Sequence, residues 1–264
     1  MTLLPAEDRD LPAALVTGGG RRLGAAMVRH LAARGRPVAL HANASSTDAE
    51  ALAREIRGGG GICHVVRGDL ATRTGVDAIW QAARAALGPI GVLVNNASLF
   101  RNDDVFGHQD DAIDAHMAVN LKAPLRLIEC MALQPDLPEG AVVVNMLDNK
   151  MFAPNPDFFT YTLSKTALHG ATELCARRLG GRPRVCGIAP SITLVSGDQS
   201  MADFERTARI NPLGRRVRPE DICAALDCLL GDRALNGQVM VVDGGQVLWR
   251  LPRDVAFLDG YGED

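Results

Sequence analysis

Tyr161 and Lys165 stand four residues apart in Tyr161-Thr162-Leu163-Ser164-Lys165, so on a helix the two side chains share one face. A phenol beside an ammonium is an acid–base device. The tyrosine hydroxyl has an ordinary pKa of about 10 and carries protons poorly near neutrality. A cation close to it stabilises the tyrosinate and is expected to lower that value. Such a pair is common, and its meaning depends on what surrounds it.

A β-rich run, Ala13–Thr17, leads straight into Gly18-Gly19-Gly20-Arg21-Arg22-Leu23-Gly24 and then into a helical pattern. Glycine tolerates positive φ and lets backbone N–H groups approach an anion at the positive end of a helix. Strand, glycine turn and helix in succession are the setting in which a pyrophosphate is held at the carboxyl edge of a parallel sheet. Gly18, Arg21, Arg22, Leu23 and Gly24 are the candidates for that contact.

The elements that must position these groups alternate along the chain. Strands are expected at Ala13–Thr17, Pro37–His41, Ile62–Val66, Val92–Asn95, Ala141–Met146, Arg184–Ile188 and Val239–Val242. They read as continuous apolar segments, the pattern of strands covered on both faces. Helical periodicity fills the gaps. Leu23–Arg34 places Met27, Val28 and Leu31 inward and stops at Gly35, and Thr47 with Glu50 has the form of a capping box. Val76, Ile79, Trp80, Ala83 and Leu87 trace one apolar face that ends at Gly88-Pro89, and Pro124 is expected to kink or divide the long segment Asp110–Leu133. The fold class is therefore α/β, a doubly wound parallel sheet of about seven strands with helices on both faces.

Thr17-Gly18-x-x-x-Arg22-x-Gly24, Asn95-Asn96-Ala97-Ser98, Asn120 and the Tyr161/Lys165 pair, at these separations, resemble the short-chain dehydrogenase/reductase family. The resemblance spans roughly residues 13–248 and implies a single Rossmann-type domain with strand order 3-2-1-4-5-6-7. It leaves an N-terminal tail (1–12) and a C-terminal tail (249–264). It also implies a nicotinamide cofactor. Users of NAD carry an acid about 20 residues beyond the glycine turn to hold the ribose 2′-hydroxyl. Here His41-Ala42-Asn43-Ala44-Ser45-Ser46 has none before Asp48. NADP(H) is the expected cofactor, with Arg22, His41, Asn43, Ser45 and Ser46 toward the 2′-phosphate. Asp69 and Leu70 are implied at the adenine. Asn95, Ala97 and Ser98 are implied at the floor of the site, Pro190, Ser191 and Ile192 at the carboxamide, and Lys165 and Tyr161 at the nicotinamide ribose.

Four positions are similar to the family's pteridine and dihydromonapterin reductases. Arg22 replaces the middle glycine, so its guanidinium can meet pyrophosphate and substrate. Asp148 stands thirteen residues before Tyr161, where serine is usual. Phe100 stands where a phenylalanine stacks on a flat heterocycle, and Ala189-Pro190-Ser191-Ile192 replaces the usual Pro-Gly. A serine hydroxyl stabilises an alkoxide, which an ionised carboxylate would repel. A carboxyl suits a C=N whose nitrogen is protonated while its carbon accepts hydride. Asp148, Tyr161, Lys165 and Asn120 (as holder of a relay water) are thus the catalytic candidates. Arg22, Ser98, Phe100, Asp148 and Tyr161 are those for substrate. The reading is an NADPH-dependent pterin reductase. Reduction of an ordinary carbonyl, and a dinucleotide-binding module without turnover, stay open as alternatives.

Composition sets the outer limits. The chain has 264 residues, 47% of them hydrophobic, and a formal net charge of −3. No block of like charge marks a nucleic-acid surface, and no apolar run is long enough to span a bilayer. Arg215, Arg216 and Arg218 read as a solvated loop. The six cysteines lack metal-ligand or disulfide spacing and read as buried free thiols in a reducing, cytoplasmic setting. The resemblance implies a homotetramer, with the C-terminal tail packed on a neighbouring subunit or beside the site.

Overall fold

The computed structural model describes residues 11–43, 46–195 and 200–258. Ser45, the Ser46 side chain, residues 196–199 and Tyr261, all of which figured in the sequence expectations, lie outside the described residues. Seven strands form one parallel sheet: β1 (Ala13–Val16), β2 (Val38–Ala42), β3 (Cys63–Arg67), β4 (Ile90–Asn95), β5 (Val142–Met146), β6 (Arg184–Pro190) and β7 (Val239–Val242). Their order is β3-β2-β1-β4-β5-β6-β7, as the resemblance implied. The helices are α1 (Arg22–Ala33), α2 (Ser46–Gly58), α3 (Arg73–Leu87), α4 (Asp110–Met117), α5 (Ala123–Ala132), α6 (Phe159–Leu179), α7 (Met201–Thr207) and α8 (Pro219–Gly231).

The period of two along each strand divides the core. Ala14 and Val16 of β1 pack with α1, α2 and α8, whereas Ala13 and Leu15 face α3, α5 and α6. Leu15, Leu31, Leu93 and Leu127 are buried, each contributing about 1.5–3 kcal/mol by leaving water. The expectation of strands covered on both faces fails at the two edges. His64 and Arg67 of β3 and Val241 of β7, the strands at the two ends of the sheet, are exposed.

Two local expectations are also corrected. Thr47 is not a cap but lies inside α2, which already begins at Ser46. The long segment 110–133 does divide, but at a π-helical turn, Ala118–Lys122, rather than at Pro124. Pro124 sits in the first turn of α5, two residues beyond that π turn. All six cysteines are unbridged, and Cys228 is exposed rather than buried. Among the described residues no helix is long and apolar enough to cross a membrane. Arg215 and Arg216 pair with Asp221 and Glu205.

Candidate active site

The site forms where the strands end. Thr17 Oγ1 accepts from the backbone N–H groups of Asn96 (2.9 Å) and Ala97 (3.0 Å), and Asn96 Nδ2 donates to the Thr17 carbonyl at 2.8 Å. These bonds tie the glycine turn to the end of β4. A Cβ on Gly24 would lie 2.2 Å from the Gly18 carbonyl oxygen, so only glycine fits that approach. Arg22 has φ +52°, a left-handed conformation that costs a non-glycine residue about 1–2 kcal/mol. That backbone requirement explains why glycine is the usual occupant. The Arg22 guanidinium donates to the carbonyls of Val195 and Leu194. Helix α1 has no side-chain cap at its N-terminus, which leaves backbone donors for an anion. An uncapped helix start, a glycine at closest approach and two arginines fit a dinucleotide pyrophosphate.

His41 does not face a phosphate. It is 2% exposed, accepts from the Gly18 N–H through Nδ1 at 3.2 Å and bonds the Gly68 carbonyl through Nε2 at 3.0 Å. Burial lowers its pKa, so a neutral imidazole braces the glycine turn from beneath. Asn43 is exposed just beyond β2, and Asp69 is exposed beyond β3 with Oδ1 accepting from the Ala71 N–H. Both lie at the same end of the sheet as the turn; Leu70 is buried there. Arg21 pairs with Asp48 on α2.

The catalytic candidates converge from β5 and α6. Residues Tyr161, Ser164, Lys165, Leu168 and Thr172 of α6 are buried at helical spacing, which brings a polar stripe against the end of β5. Tyr161 Oη donates to Asp148 Oδ2 at 2.7 Å, and the Lys150 N–H donates to Asp148 Oδ1 at 2.9 Å. Lys165 Nζ donates to the Met146 carbonyl at 2.7 Å and lies 5.8 Å from the Tyr161 ring centroid. Burial raises the Asp148 pKa, with the Lys150 N–H, the Tyr161 hydroxyl and the Lys150 charge opposing. Burial also lowers Lys165 to about 8, against the pull of Asp148. The expectation of a lowered tyrosine pKa is corrected. Burial, and then the adjacent Asp148, push Tyr161 well above its ordinary value. Tyr161 is a hydrogen-bond donor to a carboxyl, not a ready tyrosinate.

Two further expectations change. Asn120 is buried in the π turn, and its amide is spent on neighbours. Oδ1 accepts from the Leu99 N–H (2.8 Å), while Nδ2 donates to the Leu99 carbonyl and Ser164 Oγ, both at 2.9 Å. It positions the loop after β4 against α6 without lining the cavity. Asn95 likewise lies beneath the floor, donating to Asn145, which donates to Thr172 of α6.

The cavity above these groups measures about 1090 Å³. The glycine turn, Ala97, Ser98, Phe100 and Pro190–Ile192 line it. Phe100 is 44% exposed, so it is not a core residue. It stacks on Phe158 (centroids 4.3 Å apart) and meets Tyr161 edge-on at 4.7 Å. Residues 251–258 complete the wall from within the same chain, so this part of the tail does not need a neighbouring subunit for its packing.

A family model for short chain dehydrogenases matches residues 12–206. The chain is a short-chain dehydrogenase/reductase. Among solved structures it is similar to FolM alternative dihydrofolate reductase 1 from Brucella suis, in complex with NADP. The two are 42% identical with a TM-score of 0.86, over 91% of this chain and 96% of that one. A blue fluorescent protein from a metagenomic library, in complex with NADPH, is 30% identical with a TM-score of 0.80, over 89% of this chain and 97% of that one. Among curated relatives, the 3beta-hydroxysteroid dehydrogenase 1 of Eggerthella lenta is 30% identical, covering 89% of this chain and 93% of its own. D-threitol dehydrogenase of Mycolicibacterium smegmatis is 29% identical, covering 89% and 92%.

This short-chain dehydrogenase/reductase carries site residues that sequence reasoning missed: Lys150, Asp157, Phe158, Asp254 and Phe257. Their spacing has no period, and two lie in the tail. The one local cue was Lys150, a lysine two residues beyond Asp148 on a strand-end turn.

Proposed function

We propose that this reductase transfers hydride from NADPH to a dihydropterin ring (a dihydromonapterin, dihydrobiopterin or dihydrofolate type). The observation that carries the reading is the bond from Tyr161 Oη to Asp148 Oδ2, 2.7 Å long. NADP(H) is the cofactor, supported by the structural neighbours solved with NADP or NADPH and by the absence of an acid between Gly24 and Asp48. When bound, the reduced nicotinamide supplies the hydride.

The chain's own groups do the rest. Desolvation raises the pKa of Asp148 and so shifts it toward the carboxylic acid, the form able to donate a proton toward a ring nitrogen. Tyr161 holds that carboxyl in place and shares its proton route. Lys165, anchored on Met146, positions the ribose. Gly18, Arg21, Arg22, Leu23 and Gly24 hold the pyrophosphate, and Arg22 reaches the substrate side. Ser98 meets cofactor and substrate, and Phe100 offers an aromatic face to a flat heterocycle. The similarity to FolM alternative dihydrofolate reductase 1 supports the same substrate class.

The second reading is reduction of a ketone or aldehyde, favoured by the names of the curated relatives. NADPH oxidation measured against a panel of dihydropterins and simple ketones separates the two. The first reading requires turnover of a dihydropterin; turnover of ketones alone overturns it. We further infer a homotetramer, supported by exposed apolar side chains just past α5 (Leu133), on α6 (Leu174) and around β7 (Leu213, Val241, Leu248), and a cytoplasmic location, supported by the six unbridged cysteines. Light scattering showing a monomer at micromolar concentration would contradict it.

A further inference from the structure

The substrate-side wall is built by residues outside the alternating α/β core. Lys150 is 7% exposed. Its Nζ donates to Asp254 Oδ2 at 2.8 Å and to the Asp157 carbonyl at 3.1 Å, and lies 4.8 Å from the Phe158 ring centroid. The Asp157 carboxylate accepts from Arg253 Nη2 (2.6 Å) and from the Asp254 N–H (2.7 Å). Phe257 stacks on Phe158 at 5.8 Å, continuing the ring stack that begins at Phe100. Leu251, Val255 and Leu258 pack on Ile210. Residues 251–258 are thus held by one apolar cluster and two ion pairs, and one of those pairs starts two residues from Asp148.

We propose that Lys150 and Asp254 form a latch that seats residues 251–258 as the substrate-side wall, making both of them positioning residues for substrate acceptance and for the electrostatic setting of Asp148. The choice of substrate in the test rests on the pterin reading; the latch itself does not. A buried ammonium requires a counter-charge, and removing one partner strands the other in a dry site. The charged and titratable groups facing Asp148 are Tyr161 and Lys165 from α6, Lys150 from its own turn and Asp254 from the tail. Lys150 favours the Asp148 carboxylate, whereas Asp254 favours its protonated form and also disfavours tyrosinate at Tyr161. The two partners of the latch therefore act on Asp148 with opposite sign. Arg253 is engaged by Asp157.

The test uses Asp254→Asn and Lys150→Met in the full chain, with Asp254→Glu as the conservative rescue. Mass-mapped trypsin cleavage after Arg250, which is exposed at the start of the seated segment and is not next to either substituted position, reads tail docking without any turnover. It is expected to accelerate at least about tenfold in the first two variants, below the several-hundred-fold scale of losing one partner of a fully buried pair because Asp254 is partly exposed, and to return toward wild type in Asp254→Glu. KM for dihydropterin should rise in both, while KM for NADPH stays within twofold or so. If the protonated Asp148 is the active form, the rate falls as pH rises through its pKa. That fall should move to lower pH in Asp254→Asn and to higher pH in Lys150→Met. Simple loosening of the tail would move both the same way. Unchanged cleavage, or pH profiles that shift together, would overturn the latch. If Lys150→Met does not fold, the two Asp254 variants decide by cleavage, rescue and the direction of one shift. Wild-type protein that turns over only ketones would sink the pterin reading, while the cleavage result would still judge the latch.

Discussion

Tyr161 donates its phenolic hydrogen to Asp148 across 2.7 Å at the lining of the cavity, where Tyr161 is buried and Asp148 partly buried. Burial and the adjacent carboxyl make tyrosinate harder to form than in water, and burial makes the carboxylic acid easier to keep. The pair is therefore set to give a proton rather than to take one. That is the requirement for reducing a C=N bond, whose nitrogen must be protonated.

This arrangement has a stability signature. The folded-state pKa of Asp148 is raised, so between the unfolded and folded values the folded protein binds more protons than the unfolded chain. Its contribution is most favourable at low pH and is lost as pH rises through the folded pKa. The melting temperature of wild type minus that of Asp148→Asn should therefore decrease as pH goes from 4 to 8. A chain of this size shifts by about 2–4 °C per kcal/mol, which differential scanning calorimetry resolves.

Arg22 occupies a left-handed backbone position with φ +52°. Arg22→Gly and Arg22→Ala both remove the guanidinium, but only alanine keeps the backbone conflict. The glycine variant should be more stable than the alanine variant by about 1 kcal/mol. Both should raise KM for NADPH to a similar degree. Chemical denaturation and steady-state kinetics check the two halves separately.

Cofactor choice follows from the acid-free end of β2, where Asn43 is exposed. NADPH should be used with higher kcat/KM than NADH, and Asn43→Asp, which places an acid where the ribose 2′ group is expected, should reduce that preference. Equal turnover with NADH in the wild-type enzyme would contradict the assignment.

Phe100 borders the cavity with almost half its surface exposed. Phe100→Ala should raise KM for a dihydropterin several-fold, since an aromatic stack contributes about 0.5–1.5 kcal/mol beyond burial. The melting temperature should change less than it would for a core phenylalanine. An unchanged KM would remove Phe100 from the substrate side.

The sheet was legible because parallel strands buried on both faces announce themselves as short apolar runs, and all seven lie within two residues of their expected ends. The glycine turn and the Tyr161/Lys165 pair were legible because local geometry fixes both. What was not legible depended on burial and long-range pairing. His41 looked like a phosphate ligand by position, yet its ring is committed to Gly18 and Gly68. The tyrosine pKa was expected to fall on account of Lys165, but sequence gives no measure of desolvation, which decides the direction. Lys150 and Asp254 meet across a separation of 104 residues, and no local pattern predicts such a pair.

The most direct test of the central claim is Asp148→Ser, which installs the residue usual in this family. If Asp148 lies on the proton route to a ring nitrogen, dihydropterin reduction should fall by at least about 10², the lower end of what a positioned acid–base group contributes. Any ketone that is turned over should hold its rate or gain, because a serine hydroxyl is itself a hydrogen-bond donor to the developing alkoxide. Undiminished dihydropterin reduction by the serine variant would contradict the account.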